Sequence, residues 1–231
     1  MNVLVVGEGA PLLMLHGYLS SKETFYYQTS YFSKFFKIYA PDLSGFKENF
    51  LPYPYELKDY AKEVSALIEI IKAENDCEKV NVIAHSFGAR IVFYLSPTNV
   101  FNKIVLTGAA GVKTKKRLSV KLKILAYKSI KRLFHKELKV FESEDYKRLS
   151  PVMKQSFKKI IALDLTDKLS TIKNETLIIN GRLDKETPPK TAVIINEKIK
   201  NSTLFFIENA GHFCFIDEPI EFNQLVKEFL L

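Results

Sequence analysis

Ser86 stands in a sequence context that can make a serine hydroxyl act as a nucleophile. The apolar run Val80–Ala84 ends just before it, and a helical pattern over Phe87–Leu95 begins directly after it. A strand–turn–helix corner with small residues two positions before and after the serine, here Ala84 and Gly88, is typical of a nucleophile elbow. The alternative is a plain helix N-terminus, where serine is a favoured cap.

His212 is the candidate base for this serine, because a serine hydroxyl is a weak nucleophile until a base removes its proton. It lies in a loop between the apolar run Leu204–Ile207 and the last helical pattern, and Gly211 gives that loop backbone freedom. A structural loop histidine is the alternative interpretation.

Asp184 is the candidate acid that would orient the base. It lies in a turn between the apolar run Leu177–Asn180 and a helix that starts with proline, and Glu186 is the fallback. A turn or helix-cap aspartate is the alternative. Ser86, Asp184 and His212 follow three separate apolar runs in an order that catalytic triads take. Together they predict a catalytic triad for acyl transfer.

Two backbone N–H groups are candidates for an oxyanion hole, which acyl transfer needs to stabilise the developing negative charge. One belongs to Phe87, directly after the serine. The other belongs to Tyr18, which follows the apolar run Leu12–Leu15 and the pair His16 and Gly17. We expect His16 to order this loop by hydrogen bonding, and His16 and Gly17 to lie in the substrate-binding region. An ordinary strand-to-loop turn is the alternative.

An alternation of apolar runs and helical patterns supplies the elements that would position these residues. Helical patterns occupy Leu57–Lys72, Phe87–Leu95, Pro189–Lys198 and Pro219–Leu230. The alternation predicts an α/β fold with a mostly parallel sheet, and most of the strands are expected to be covered on both faces. The apolar runs that predict strands are Val3–Val6, Leu12–Leu15, Phe36–Ala40, Val80–Ala84, Ile104–Thr107, Leu177–Asn180 and Leu204–Ile207.

A helical insertion interrupts this alternation between about residues 111 and 172, where no strand pattern occurs. Lys121–Leu138 is predicted to be a basic amphipathic helix whose apolar side includes Leu122 and Leu125. A further helix is predicted around Ser150–Leu163. We expect the insertion to cover an apolar acyl pocket, with Leu122 and Leu125 among the substrate-binding residues.

The chain resembles the α/β-hydrolase superfamily over essentially its whole length. The resemblance implies a core of residues 1–111 and 173–231, a helical cap of residues 112–172 after the family's sixth strand, and an active site between them. It also implies that the family's N-terminal strand is truncated, since Met1 lies almost at the second strand, and that Asp42 is a structural turn residue. Ala84 is a mild departure from the glycine that is usual there. The resemblance rests on five motifs: Leu15-His16-Gly17-Tyr18, Ala40-Pro41-Asp42-Leu43-Ser44-Gly45-Phe46, Ala84–Gly88, Gly181–Asp184 and Gly211–His212.

The net charge of +8 comes from one stretch of the chain. Residues 113–139 hold eleven of the 34 basic residues and one of the 26 acidic ones, which leaves 23 basic and 25 acidic groups elsewhere. A nearly neutral body argues against a nucleic-acid partner. The basic face of the cap is either simply solvated, attracts an anionic substrate or acyl carrier, or makes a weak contact with an anionic membrane surface.

These patterns together predict a cytoplasmic serine hydrolase. The chain shows no signal peptide and no apolar run long enough for a membrane span, and Cys77 and Cys214 form no metal or redox spacing. We expect a monomer or dimer that cleaves a carboxylic ester of a small to medium apolar acyl group, with no metal or organic cofactor. Two alternatives stay open: a C–C bond hydrolase or lyase of the same fold, and a small-molecule receptor on a hydrolase scaffold.

Overall fold

A seven-stranded sheet forms the centre of the protein, in a computed structural model that describes residues 1–47, 50–113 and 149–231. Each of the seven predicted strands is present. The largest difference in a boundary is at β5, which begins at Phe101 rather than Ile104 because the exposed Asn102 interrupts the apolar run. The strands β1 to β7 are Asn2–Val6, Pro11–Leu15, Lys37–Asp42, Val80–His85, Phe101–Thr107, Thr176–Gly181 and Ser202–Ile207.

The sheet has the order β1-β3-β2-β4-β5-β6-β7. Only the pair β1 and β3 is antiparallel, and every other neighbouring pair is parallel. All residues of β2, β4 and β6 are buried, as expected for strands covered on both faces. Because β2 to β7 run in the same direction, their carboxyl ends meet at one edge of the sheet, where open α/β sheets bind ligands.

Helices cover the two faces of the sheet and build a separate apolar cluster on each. The helices α2, α3, α4 and α6 contribute to one cluster, and α1, α7 and α8 contribute to the other. The four predicted core helices are found with ends that differ by at most two residues. The helices α1 to α8 of the described residues are Tyr26–Phe32, Leu57–Glu74, Phe87–Leu95, Pro151–Ala162, Thr166–Leu169, Pro189–Lys198, Cys214–Asp217 and Pro219–Leu230.

The helix predicted around Ser150–Leu163 is α4. Ser150 caps it by accepting a hydrogen bond from the N–H of Met153, and a proline occupies its first position. Its apolar side joins the core cluster on the face that carries α2 and α3. The predicted basic helix Lys121–Leu138, with Leu122 and Leu125, lies outside the described residues. In the described part of the chain, no helix is both long and apolar enough to cross a membrane.

Gly88 lets α3 pack directly on β2. A methyl group at this position would collide with the carbonyl oxygen of Leu15 and lie 2.8 Å from Leu15 Cβ. We expect Gly88→Ala to lower the free energy of unfolding by about 1–3 kcal/mol, although alanine is the better helix former by about 1 kcal/mol. Urea unfolding followed by circular dichroism measures this difference.

Gly211→Ala is the matched control for this substitution. A methyl group at position 211 would have its nearest neighbour at 3.5 Å, in ordinary contact with a carboxylate oxygen. Its free energy of unfolding should therefore stay close to that of the unmodified protein. Equal stabilities of the two variants would contradict the packing argument at Gly88.

Candidate active site

Ser86 lies at the corner between β4 and α3 with backbone angles of φ +48° and ψ −103°. A positive φ is rare for residues other than glycine, so this corner is strained. The Ser86 N–H donates to the carbonyl of Thr107 over 3.0 Å, and the N–H of Ala110 donates to the Ser86 carbonyl over 3.2 Å. These bonds fix the corner against the carboxyl end of β5 and leave the Ser86 side chain half-buried.

The loop after β2 approaches the serine at Gly17. A methyl group at position 17 would lie 3.4 Å from Ser86 Cβ and 2.7 Å from Nδ1 of His85. This close approach brings the loop that carries Tyr18 to the end of β4. The other candidate donor for the oxyanion hole is the N–H of Phe87. It is the first N–H group of α3 and has no acceptor within that helix.

His16 holds the loop after β2 from inside the protein. Its Nε2 accepts a hydrogen bond from the N–H of Leu43 over 3.0 Å, so its proton is on Nδ1, which donates to the carbonyl of Gly17 over 2.7 Å. Burial lowers the pKa of His16 to about 4. The ring is fully buried, and its two hydrogen bonds tie the loop after β2 to the turn after β3.

His212 and Asp184 form a hydrogen-bonded pair at the ends of β7 and β6. The ring Nδ1 lies 2.9 Å from Asp184 Oδ2 and donates to it. With the proton on Nδ1, the other ring nitrogen keeps its lone pair, as a general base requires. No hydrogen bond joins Ser86 Oγ to His212 among the contacts of the described residues. Such bonds often tighten only when a substrate binds.

Asp184 is a buried carboxylate whose two oxygens are both engaged. Oδ1 accepts from the N–H groups of Glu186 and Thr187, and Oδ2 accepts from the Thr187 hydroxyl over 2.7 Å as well as from His212. Burial raises the pKa of Asp184, but the hydrogen bonds from His212 and Thr187 outweigh it and leave the pKa below its usual range. Glu186 is exposed and serves this network only through its N–H.

Thr187 is a member of this network that the sequence reasoning missed. Its hydroxyl donates to Asp184 and lies 3.3 Å from His212 Nδ1. The spacing Asp-x-x-Thr just before a helix was the available signal, because an aspartate often accepts hydrogen bonds from the N–H groups two and three residues later.

The acid loop and the histidine loop touch through their backbones. A methyl group on Gly181 would collide with the carbonyl oxygens of Ala210 and Gly211. The N–H of Leu183 donates to Ala210 O over 2.9 Å, and the N–H of Gly211 donates to Asp217 Oδ2 over 2.8 Å. These contacts fix the two loops relative to each other and therefore fix the pair that they carry.

Comparison with known proteins identifies the family of the chain. The family model for the alpha/beta hydrolase fold matches residues 10–128, just over half of the chain. The chain belongs to the α/β-hydrolase family. The AB hydrolase superfamily protein YisY of Bacillus subtilis is 27% identical over an alignment of 252 positions, gaps included, which covers 97% of this chain and 92% of that protein.

Two further proteins similar to this hydrolase have names that state different activities. The 2-hydroxy-6-oxo-2,4-heptadienoate hydrolase of Pseudomonas putida is 23% identical over an alignment of 258 positions, gaps included, which covers 99% of this chain and 92% of that protein. An esterase structure from Exiguobacterium antarcticum has a TM-score of 0.77 and 25% identity, and the match covers 98% of this chain and 94% of the esterase.

A cleft of about 470 Å³ lies beside the candidate site, and its lining among the described residues includes none of Ser86, Asp184 and His212. Leu19 and Ser20 line it from the loop after β2, Phe46 and Lys47 from the turn after β3, and Phe213 from the histidine loop. The cleft combines hydroxyl groups with aromatic rings, so it can accept a ligand with both polar and apolar parts.

Three residues that could be mistaken for catalytic groups have other roles in the hydrolase. Asp42 is buried and forms an ion pair with Lys22, which matches its predicted structural role. Cys214 is packed in the core beside Thr107, and burial raises the pKa of its thiol to about 12. Arg90 is half-buried and donates to the carbonyl of Ile160 at the end of α4.

Thr187→Val tests whether the hydroxyl of Thr187 stabilises the Asp184 carboxylate. The substitution keeps the shape of the side chain and removes a donor to a charged group. We expect the free energy of unfolding at pH 7 to fall by about 1.5–3 kcal/mol. Thr187→Ser keeps the donor and should retain most of the stability. Equal losses in both variants, measured by urea unfolding, would contradict this role.

Two buried histidines predict that the folded state loses stability in acid. The pKa of His16 is lowered to about 4 and that of His85 to about 3. Both rings stay neutral in the folded protein, whereas the unfolded chain takes up a proton at each below about pH 6.5. Stability is therefore fully present above this pH and is lost as the pH falls. Between pH 6 and 5 we expect a loss of about 2–3 kcal/mol per pH unit. Urea unfolding at several pH values measures how the free energy of unfolding changes with pH. His85→Phe should halve this slope, and a free energy of unfolding that does not change between pH 6 and 5 would contradict the prediction.

Proposed function

We propose that this α/β hydrolase is a serine esterase that works through an acyl-enzyme. The observation that carries the proposal is the strained Ser86 corner at the same sheet edge as the His212–Asp184 pair. A nucleophile, a base with the correct tautomer and an acid that stays ionised are the parts that such catalysis needs.

The proposed reaction starts when His212 takes the proton of Ser86 as its oxygen attacks the ester carbonyl carbon. The N–H groups of Phe87 and Tyr18 donate to the resulting oxyanion. His212 then gives the proton to the leaving alcohol, and the ester C–O bond breaks. Water, deprotonated by His212, attacks the acyl-enzyme, and the proton returns to Ser86 as the carboxylic acid leaves. Asp184 stabilises the imidazolium that forms twice in this cycle.

The substrate side of the proposal rests on the surroundings of Tyr18. Its ring contacts those of Phe46, Phe87 and Phe157 at centroid distances of 4.8, 5.4 and 4.9 Å. An aromatic wall around the candidate oxyanion donors favours an apolar acyl group of small to medium size. We also propose that residues 1–111 and 173–231 act as the catalytic core and residues 112–172 as the cap over this pocket.

A C–C bond hydrolase is the second candidate. It is favoured by the match to the 2-hydroxy-6-oxo-2,4-heptadienoate hydrolase over 99% of the chain. The same Ser86, His212 and Asp184 would serve either reaction, so the choice depends on which substrate the pocket accepts. For either activity we propose a cytoplasmic location, which the free thiols of Cys77 and Cys214 support.

Ser86→Ala tests the proposed nucleophile. We expect kcat/KM for p-nitrophenyl acetate to fall at least about 10³-fold, because the acyl-enzyme no longer forms. The folded state should persist, which circular dichroism checks. The measurement should be repeated with acyl chains of two to twelve carbons and with a vinylogous diketone as the C–C substrate.

Cys214→Ala is the matched control, because it removes a thiol two positions after His212 and leaves Ser86 unchanged. Its ester turnover should stay close to that of the unmodified enzyme. Undiminished turnover in Ser86→Ala would refute the proposed nucleophile. Faster Ser86-dependent turnover of the diketone than of every ester would replace the esterase by the C–C hydrolase.

A further inference from the structure

His85 is a buried residue between the proposed nucleophile and the proposed base, and it takes no part in the proposed reaction. It ends β4, directly before Ser86, and only 1% of its surface is exposed. Its Nε2 lies 3.1 Å from the carbonyl oxygen of His212. A carbonyl only accepts, so the proton is on Nε2, and His85 donates to the backbone of His212.

The bond at Nε2 is the one hydrogen bond that the His85 side chain makes to the described residues. Its Nδ1 is buried and has no hydrogen-bond partner among the described residues. A buried polar atom without a partner is unfavourable, and an apolar ring of the same size would avoid it. The donor at Nε2 is therefore the feature of His85 that a phenylalanine could not supply.

The ring of His85 also contacts the ring of His212. The two centroids are 4.7 Å apart at an angle of 53°. On another side of His212, a methyl group on Gly108 would lie 3.1 Å from the imidazole ring. His212 is thus confined by His85 and Gly108, while its side chain is hydrogen-bonded to Asp184.

A third contact links His85 to the loop of Tyr18. Its Nδ1 would be 2.7 Å from a methyl group on Gly17, so the imidazole fills the space that a side chain there would need. One ring therefore touches the base loop and the oxyanion loop, while its backbone continues into Ser86.

His85 is not a second base in this arrangement. Burial, and then the charge of His212, lower the pKa of His85 to about 3. The groups that face it electrostatically are His212, Asp184 and His16, and it stays neutral at the pH at which esters are cleaved.

We propose that His85 is a positioning residue whose Nε2–H bond to the His212 carbonyl sets the distance between His212 and Ser86. The inference rests on the proposed function, because it assigns the alignment of that same triad. Loss of the bond should displace the base without changing the groups that bind the substrate. The effect should therefore fall on kcat and leave KM nearly unchanged.

The experiment compares His85→Phe, which keeps a ring and loses the donor, with His85→Gln, which keeps an N–H donor at similar reach. We expect kcat for p-nitrophenyl acetate to fall about 10²-fold in His85→Phe, with KM within about threefold. His85→Gln should recover most of kcat. His85→Leu is a second variant without a donor, in case the phenylalanine ring prevents folding, and thermal unfolding identifies the folded variants.

The outcomes separate this inference from the proposed function. Unchanged kcat in the folded donor-free variants, or no recovery in His85→Gln, would overturn the positioning role, while the loss of activity in Ser86→Ala would still support the triad. If the unmodified protein shows no Ser86-dependent turnover, the esterase proposal fails, and the NMR signal of the His212 Nδ1 proton becomes the readout. That signal should change in His85→Phe and return in His85→Gln; an unchanged signal in His85→Phe would overturn the inference.

Discussion

The buried carboxylate of Asp184 is the constraint on which the site depends. A charge without water is costly unless hydrogen bonds compensate it, and here two N–H groups, the Thr187 hydroxyl and His212 do so. The bonds from the backbone need the tight turn after β6. The bond from His212 needs the next loop at contact distance, which the absence of a side chain at Gly181 allows. The ionised acid and the packing of the two loops are therefore parts of one arrangement.

The parallel sheet explains why the pair of Asp184 and His212 lies at the same edge of the sheet as Ser86. The turns after β4, β6 and β7 leave the sheet at one edge, since all three strands run in the same direction. Within that edge, the strain at Ser86 is balanced by hydrogen bonds to Thr107 and Ala110 around the end of β5. The serine is held in position by a strand that supplies no side chain to the proposed triad.

The sequence predicted the roles of residues that depend on their neighbours in the chain. It did not predict roles that depend on hydrogen bonds to backbone groups far away in the sequence. Ser86 was predictable because a strand pattern, a helical pattern and a glycine lie within a few positions of it. Apolar runs in the sequence predicted all seven strands. His85 donates to a carbonyl 127 positions away, and Arg90 donates to one 70 positions away. Neither the spacing nor the periodicity of the sequence indicates these two contacts, so the sequence assigned no role to His85 or Arg90.

The three described histidines show how one residue type is assigned different tasks by its surroundings. His16 and His85 are buried, donate to backbone carbonyls and have lowered pKa values. His212 alone donates to a carboxylate and keeps a partly exposed side chain. A base must reach the substrate and must also gain a proton without breaking its own hydrogen bonds. Protonation at Nε2 leaves the bond to Asp184 intact in His212, whereas in His16 the same proton would displace the N–H of Leu43. The hydrogen bond from Leu43 therefore argues against His16 as the base, and burial argues against His85.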